Sequence, residues 1–178
     1  MRALVRPVHH KVSAMTTSTL DPNTKDPEYR ANLEHCIDVC NSILRGEISA
    51  IEAYDKAIEK FPDEEETEIL RQIREEHKIS VRFLKENVLE MHGLPETNSG
   101  SWGSFTSAIQ TTANFFGEES ALRSLQQGEE LGRSAYEDAL ADENVMPDCK
   151  RLMRDRLLPA VNQHISKLET ISEALNNK

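Results

Sequence analysis

The chain has 178 residues, of which 29% are charged, 38% hydrophobic and only 5% aromatic, with seven glycines and seven prolines. That length supports one domain with a sizeable core, and the scarcity of helix breakers points to an all-helical protein with an aliphatic interior. A net charge of −10 with no basic patch argues against a nucleic-acid binder, and no apolar run approaches the ~20 residues needed to span a bilayer.

Residues 1–28 read as a disordered tail preceding a single domain over 29–178. Residues 1–14 carry Arg2, Arg6 and Lys11, no acid, and no apolar stretch of the signal-peptide kind. Met15 is a candidate start, in which case His9 and His10 carry no meaning. The cysteines are three, Cys36, Cys40 and Cys149. An odd number without a secretory signal points to a reducing, cytoplasmic setting, with these side chains as small apolar groups near the core.

The first helix is predicted from Asp26-Pro27, a capping residue followed by a proline tolerated in the first turn, to about Phe61. Its seam is Leu33, Ile37, Cys40, Leu44, Glu47, Ile51, Tyr54 and Ile58, spaced alternately by four and three. Glu47 is its only charged member, so it points inward. Phe61-Pro62-Asp63 breaks the helix, and Asp63 with Glu66 forms a capping-box pattern for the next. That second helix, about Glu64–Met91, carries the seam Leu70, Ile73, His77, Val81, Leu84, Val88 and Met91, interrupted only by His77. It is expected to stop with Gly93 at the left-handed position beyond its end.

A long connection follows. Pro95 to Gly103 reads as loop, Ser104 to Phe116 as a short helix carrying Phe105, Ile109 and Phe116, and Trp102 as a packing residue. The third long helix, about Glu118–Asp142, has the seam Leu122, Leu125, Glu129, Gly132, Tyr136 and Ala139. The fourth, from Pro147 to about Leu175, has Met153, Leu157, Val161, His164, Leu168, Ile171 and Leu175. Pro159 lies inside the fourth helix and is expected to kink it, because it cannot donate to the Asp155 carbonyl.

Two segments share one pattern. Gly46-Glu47 precedes Tyr54 as Gly128-Glu129 precedes Tyr136, and the gap-free match suggests an internal duplication. Each Glu and Tyr lie two helical turns apart on one face. Each long helix thus places one ionisable group at mid-seam: Glu47, His77, Glu129 and His164. Their distances from the intervening turns put all four at one level. An unpartnered carboxylate in an apolar core costs several kcal/mol or forces protonation. The available partners are the histidines, the hydroxyls of Tyr54 and Tyr136, and a metal ion, for which Fe, Mn and Zn all suit two carboxylates and two imidazoles.

These residues resemble the ferritin-like superfamily, which implies a four-helix bundle of two duplicated helix hairpins with a long connection between the second and third helices. In that family a Glu with a Tyr seven residues later comes from one helix of each pair, and Glu-x-x-His from the other. The histidines match, but Arg74 and Val161 stand where the two metal-bridging glutamates belong. Gly93-Leu94-Pro95, Gly100-Ser101 and Gln163-His164 further resemble an uncharacterised bacterial branch carrying a domain-of-unknown-function label. The resemblance implies a non-enzymatic, stress-related bundle with a degenerate site holding one metal ion or none. The competing reading is a di-metal Fe or Mn carboxylate oxidase or ferroxidase. Bundles with a long crossover often pair through an exposed helix face, so a homodimer is expected.

Overall fold

The computed structural model describes residues 26–61 and 64–177, and of Glu64 and residues 103–116 it describes the backbone alone. Residues 1–25 of the expected tail, with Met15, His9 and His10, lie outside the described residues, as do the Pro62-Asp63 turn and the side chains of Phe105, Ile109 and Phe116, whereas residues 26–28, also assigned to that tail, are the cap and first turn of α1. The described residues are helical, with no strand among them. Helix α1 spans Pro27–Ile58 and α2 Glu64–Glu90. A 3-10 turn at Gly100–Trp102 leads into α3, Gly103–Ala141. A continuous final rod consists of α4 at Pro147–Leu152, a π-helical turn at Met153–Leu157 and α5 at Leu158–Asn176. Helix α1 packs on α2 and α3, α3 on α5, and α5 in turn on α2, so the four long rods close a ring.

Local chemistry explains the boundaries. Asp26 caps α1, its Oδ1 accepting from the Glu28 amide at 3.0 Å, with Pro27 at the first helical position. Gly117, at φ 77° and ψ −160°, breaks α3 at the place where the sequence separates a short helix from a long one.

Two expectations are corrected in detail. At the end of α2 the left-handed residue is His92, with φ 60°, and not Gly93. The Gly93 amide donates to the Val88 carbonyl and the His92 amide to that of Leu89, both at 2.9 Å, which is the Schellman arrangement with Gly93 one place further on. Glycine is needed there for space, because a Cβ would lie 2.8 Å from Ile37 Cγ2. The disturbance expected from Pro159 takes the form of the π-helical turn one turn earlier. There the Leu158 amide reaches back five residues to the Met153 carbonyl.

The long connection is held by one polar edge of α1. Asn41 Nδ2 donates to the Leu94 carbonyl and its Oδ1 accepts from the Glu96 amide, both at 3.0 Å. One turn on, Arg45 pairs with Glu96 at 2.9 Å, and Ser49 Oγ donates to the Trp102 carbonyl at 2.9 Å. The Trp102 ring lies 3.7 Å from where a Cβ on Gly46 would stand, which accords with a packing role.

The apolar interior is in two parts. One contains Cys36, Cys40, Leu44, Leu84, Val88 and Met153. The other contains Ala57, Leu70, Ile73, Leu122, Leu168 and Ile171. Each large aliphatic side chain buried this way contributes about 1.5–3 kcal/mol. Between the two parts lies a polar layer.

Candidate metal centre

The layer exists because each seam carries one ionisable residue at the same height. Glu47 comes from α1, His77 from α2, Glu129 from α3 and His164 from α5, and all are buried, at 6%, 3%, 4% and 1% exposure. The four expected side chains meet. His77 Nδ1 lies 2.8 Å from Glu47 Oε2 and its Nε2 lies 2.9 Å from Glu129 Oε1. The other oxygen of Glu129 lies 3.3 Å from His164 Nδ1. The two imidazoles are 4.6 Å apart, centre to centre.

The tyrosines close the layer crosswise. Tyr54 donates to Glu129 Oε1 at 2.6 Å, and Tyr136 donates to Glu47 Oε1. Each Tyr shares a face with the Glu of its own segment but bonds the Glu of the other. Burial and the facing carboxylates hold both phenols well above their usual range, so they remain donors.

Glu76 is a member that the apolar seams do not predict. It stands next to His77 in sequence, off the apolar seam and only partly buried. Its Oε2 lies 2.8 Å from His164 Nε2, and its Oε1 accepts from Lys167 Nζ at 2.8 Å. Burial works against its charge, but Lys167 and His164 prevail and hold the carboxyl below its usual range. The usable signal was the spacing of His164 and Lys167, which share a face of α5. Arg74 instead leaves the core, pairing with Asp55 at 2.7 Å and Glu75 at 2.9 Å, while Val161 is buried among apolar neighbours.

Both ring nitrogens of His77 face carboxylate oxygens, and an imidazole can donate from both only as the cation. Burial alone would lower its pKa. The charges of Glu129 and Glu47 outweigh that and push it up to about 10. Glu129 shows the converse: burial opposes its charge, but His77 and His164 hold it far below the usual carboxylate range. His77 is thus the internal cation of a buried acidic layer.

The same geometry can present ligands. Ligand atoms of His77, Glu129 and His164 lie within 4.8 Å of one another. On the far side, each histidine keeps a carboxylate on its other nitrogen, Glu47 for His77 and Glu76 for His164. Histidines that bind metals are usually oriented in this way. A cavity of about 40 Å³ adjoins the layer, lined by Glu47, Tyr54, His77, Glu129 and Tyr136 together with Gly132. It has room for one or a few atoms of water size.

The fold and site define an all-helical protein with a buried glutamate–histidine layer able to accept a metal ion. The chain belongs to the family described as a domain of unknown function, DUF2383, which matches residues 35–142. That span holds Glu47, Glu76, His77 and Glu129 but ends before His164. No curated protein and no solved structure matches the chain. No helix among the described residues is long and apolar enough to cross a membrane.

Proposed function

We propose that this is a ferritin-like bundle that binds a single transition-metal ion through His77 Nε2, His164 Nδ1 and Glu129, without a di-metal oxidase activity. The observation that carries the reading is the convergence of three buried ligand atoms within 4.8 Å. The carboxylates behind both imidazoles strengthen it. Glu47, expected among the ligands, is reassigned in this reading to orienting His77, and Glu76 does the same for His164. Tyr54 and Tyr136 fix the two core carboxylates. Two imidazoles and one carboxylate suit Zn, Fe or Mn, with the cavity side left for water.

A single ion fits this donor set better than two. A di-metal centre needs carboxylates that bridge, and the corresponding positions hold the surface-paired Arg74 and the apolar Val161. Bound in this layer, the ion would supply Lewis acidity or redox capacity. The protein's part is to hold the three ligands, with the Nε2 proton of His77 released to solvent as the ion binds. The duplicated Gly-Glu…Tyr segments are read as corresponding helices in two copies of one ancestral hairpin.

The test is reconstitution of the metal-stripped chain with Zn(II), Mn(II) or anaerobic Fe(II), followed by elemental analysis after desalting. One equivalent of one of these, lost in His164→Ala and retained in Arg74→Ala, is the expected result. Well under one equivalent of all three overturns the reading.

A further inference from the structure

A second group of ligating side chains lies away from the polar layer, where α1, the end of α2 and α4 meet. Cys36 and Cys40 sit one turn apart on α1, Cys149 on α4, and Met91 just past α2, all of them buried. Cys149 Sγ lies 3.4 Å from Met91 Sδ. Cys36 and Cys40 belong to the same buried cluster as Cys149 and Met91. Four sulfurs are thus gathered in one cluster, three of them free thiols. The other polar contacts are few: Cys36 Sγ accepts from the Met146 amide at 3.1 Å and lies 3.9 Å from the Asn144 carbonyl, and Cys40 Sγ lies 3.4 Å from Asn87 Oδ1.

We infer that this cluster is a site for a soft monovalent cation, Cu(I), held by the Cys149 thiolate, one α1 thiolate and the Met91 thioether. The donor chemistry selects the ion. Thiolate and thioether sulfur favour Cu(I), and two or three such ligands satisfy it. Zinc prefers four nitrogen, thiolate or carboxylate ligands, for which a thioether is a poor substitute. A route exists as well. A surface groove of about 730 Å³ is lined by Met91, Met146 and Cys149, with the carboxylates of Glu86, Glu90, Asp148 and Asp155 outnumbering the guanidiniums of Arg151 and Arg156. Sulfur in the groove wall and carboxylates around it favour an approaching cation.

Binding is an exchange of protons for metal. Each sulfur–copper bond to a cysteine replaces one S–H, and the released proton goes to solvent, while copper stays in its monovalent state throughout. Without the ion the Cys36 and Cys149 thiols are neutral. The Cys149 neighbour and burial raise the Cys36 thiol. At Cys149, Cys36 acts to lower the pKa, but Cys40 and burial outweigh it and push the value up to about 12. The metal-free cluster therefore packs as ordinary core.

The test uses the full reduced chain under anaerobic conditions, with Cu(I) supplied as its bathocuproine disulfonate complex. The expected result is withdrawal of one equivalent of Cu(I) from the chelator, with near-ultraviolet thiolate-to-copper absorption. Cys149→Ser is expected to weaken binding at least about 100-fold, and Met91→Leu, which keeps the core volume, about 10-fold or more. His164→Ala should leave the affinity unchanged, which separates this site from the polar layer. Failure to compete with the chelator, or equal binding by Cys149→Ser and Met91→Leu, would show that the sulfurs are packing alone.

Discussion

The Tyr54 hydroxyl donates to Glu129 Oε1 at 2.6 Å across the α1–α3 interface, and Tyr136 returns the same bond to Glu47. Each Gly-Glu…Tyr segment therefore completes the carboxylate of the other, and neither half of the layer is satisfied alone. Hydrogen bonds to charged groups contribute about 1.5–3 kcal/mol. Tyr54→Phe should lose about that much stability in urea denaturation with little change in helical content. The cycle of Tyr54→Phe with Glu129→Gln should show coupling of about 1 kcal/mol or more. Additive losses would mean that the two groups do not interact.

The imidazolium of His77 between two carboxylates makes metal-free stability depend on pH in both directions. The folded pKa of His77 is raised from 6.5 to about 10. Its contribution is therefore complete below about pH 6.5 and is lost as pH rises through about 10. Glu129 is lowered from 4.5, so its contribution is present above pH 4.5 and is lost as pH falls below it. The denaturation midpoint of the metal-free chain should be highest between these limits and fall on either side. His77→Gln should flatten the alkaline limb. A midpoint that rises from pH 6 to pH 9 would contradict the charge assignment.

The core polar residues were legible because a charged or imidazole group in a four-three apolar seam has few alternatives to facing inward. Glu47, His77, Glu129 and His164 each stood alone in such a seam, and their equal distances from the turns carried them to one level. Glu76 was not legible in that way. It lies off the seam, and its significance depends on His164 and Lys167 reaching it from a helix 88 and 91 residues away. The crossing of the tyrosines was hidden for a related reason. Spacing along one helix shows which groups share a face, but the hydroxyl extends past its own Glu to the facing helix. Pro159 announced a disturbance, but not that the rod carries it as a π-helical turn at Met153–Leu157.

Glu76 tests whether the carboxylates behind the imidazoles matter to metal binding. It is partly exposed and pairs with Lys167, so Glu76→Gln should cost less than about 1 kcal/mol of stability. If Glu76 orients His164 as a ligand, the same substitution should weaken metal binding about 10- to 100-fold. Competition with a metallochromic indicator would measure this. An unchanged affinity alongside loss of binding in His164→Ala would remove Glu76 from the site and leave His164 in it.

The end of α2 offers two adjacent substitutions with opposite expected signs. His92 holds φ 60°, a conformation in which the Cβ of an ordinary residue crowds the following carbonyl. His92→Gly relieves that strain, although it also loosens the unfolded chain, and should raise stability by up to about 1 kcal/mol. Gly93→Ala places a methyl group 2.8 Å from Ile37 Cγ2 and 3.0 Å from Val88 Cγ1, within the seam joining α1 to α2. Both neighbours are β-branched and stiff, so the overpacking should cost about 1–3 kcal/mol. Paired urea melts check the two signs together. A stabilising Gly93→Ala would show that the α1–α2 seam is looser at this end than the contact distances imply. A destabilising His92→Gly would show that the His92 side chain makes contacts outweighing its backbone strain.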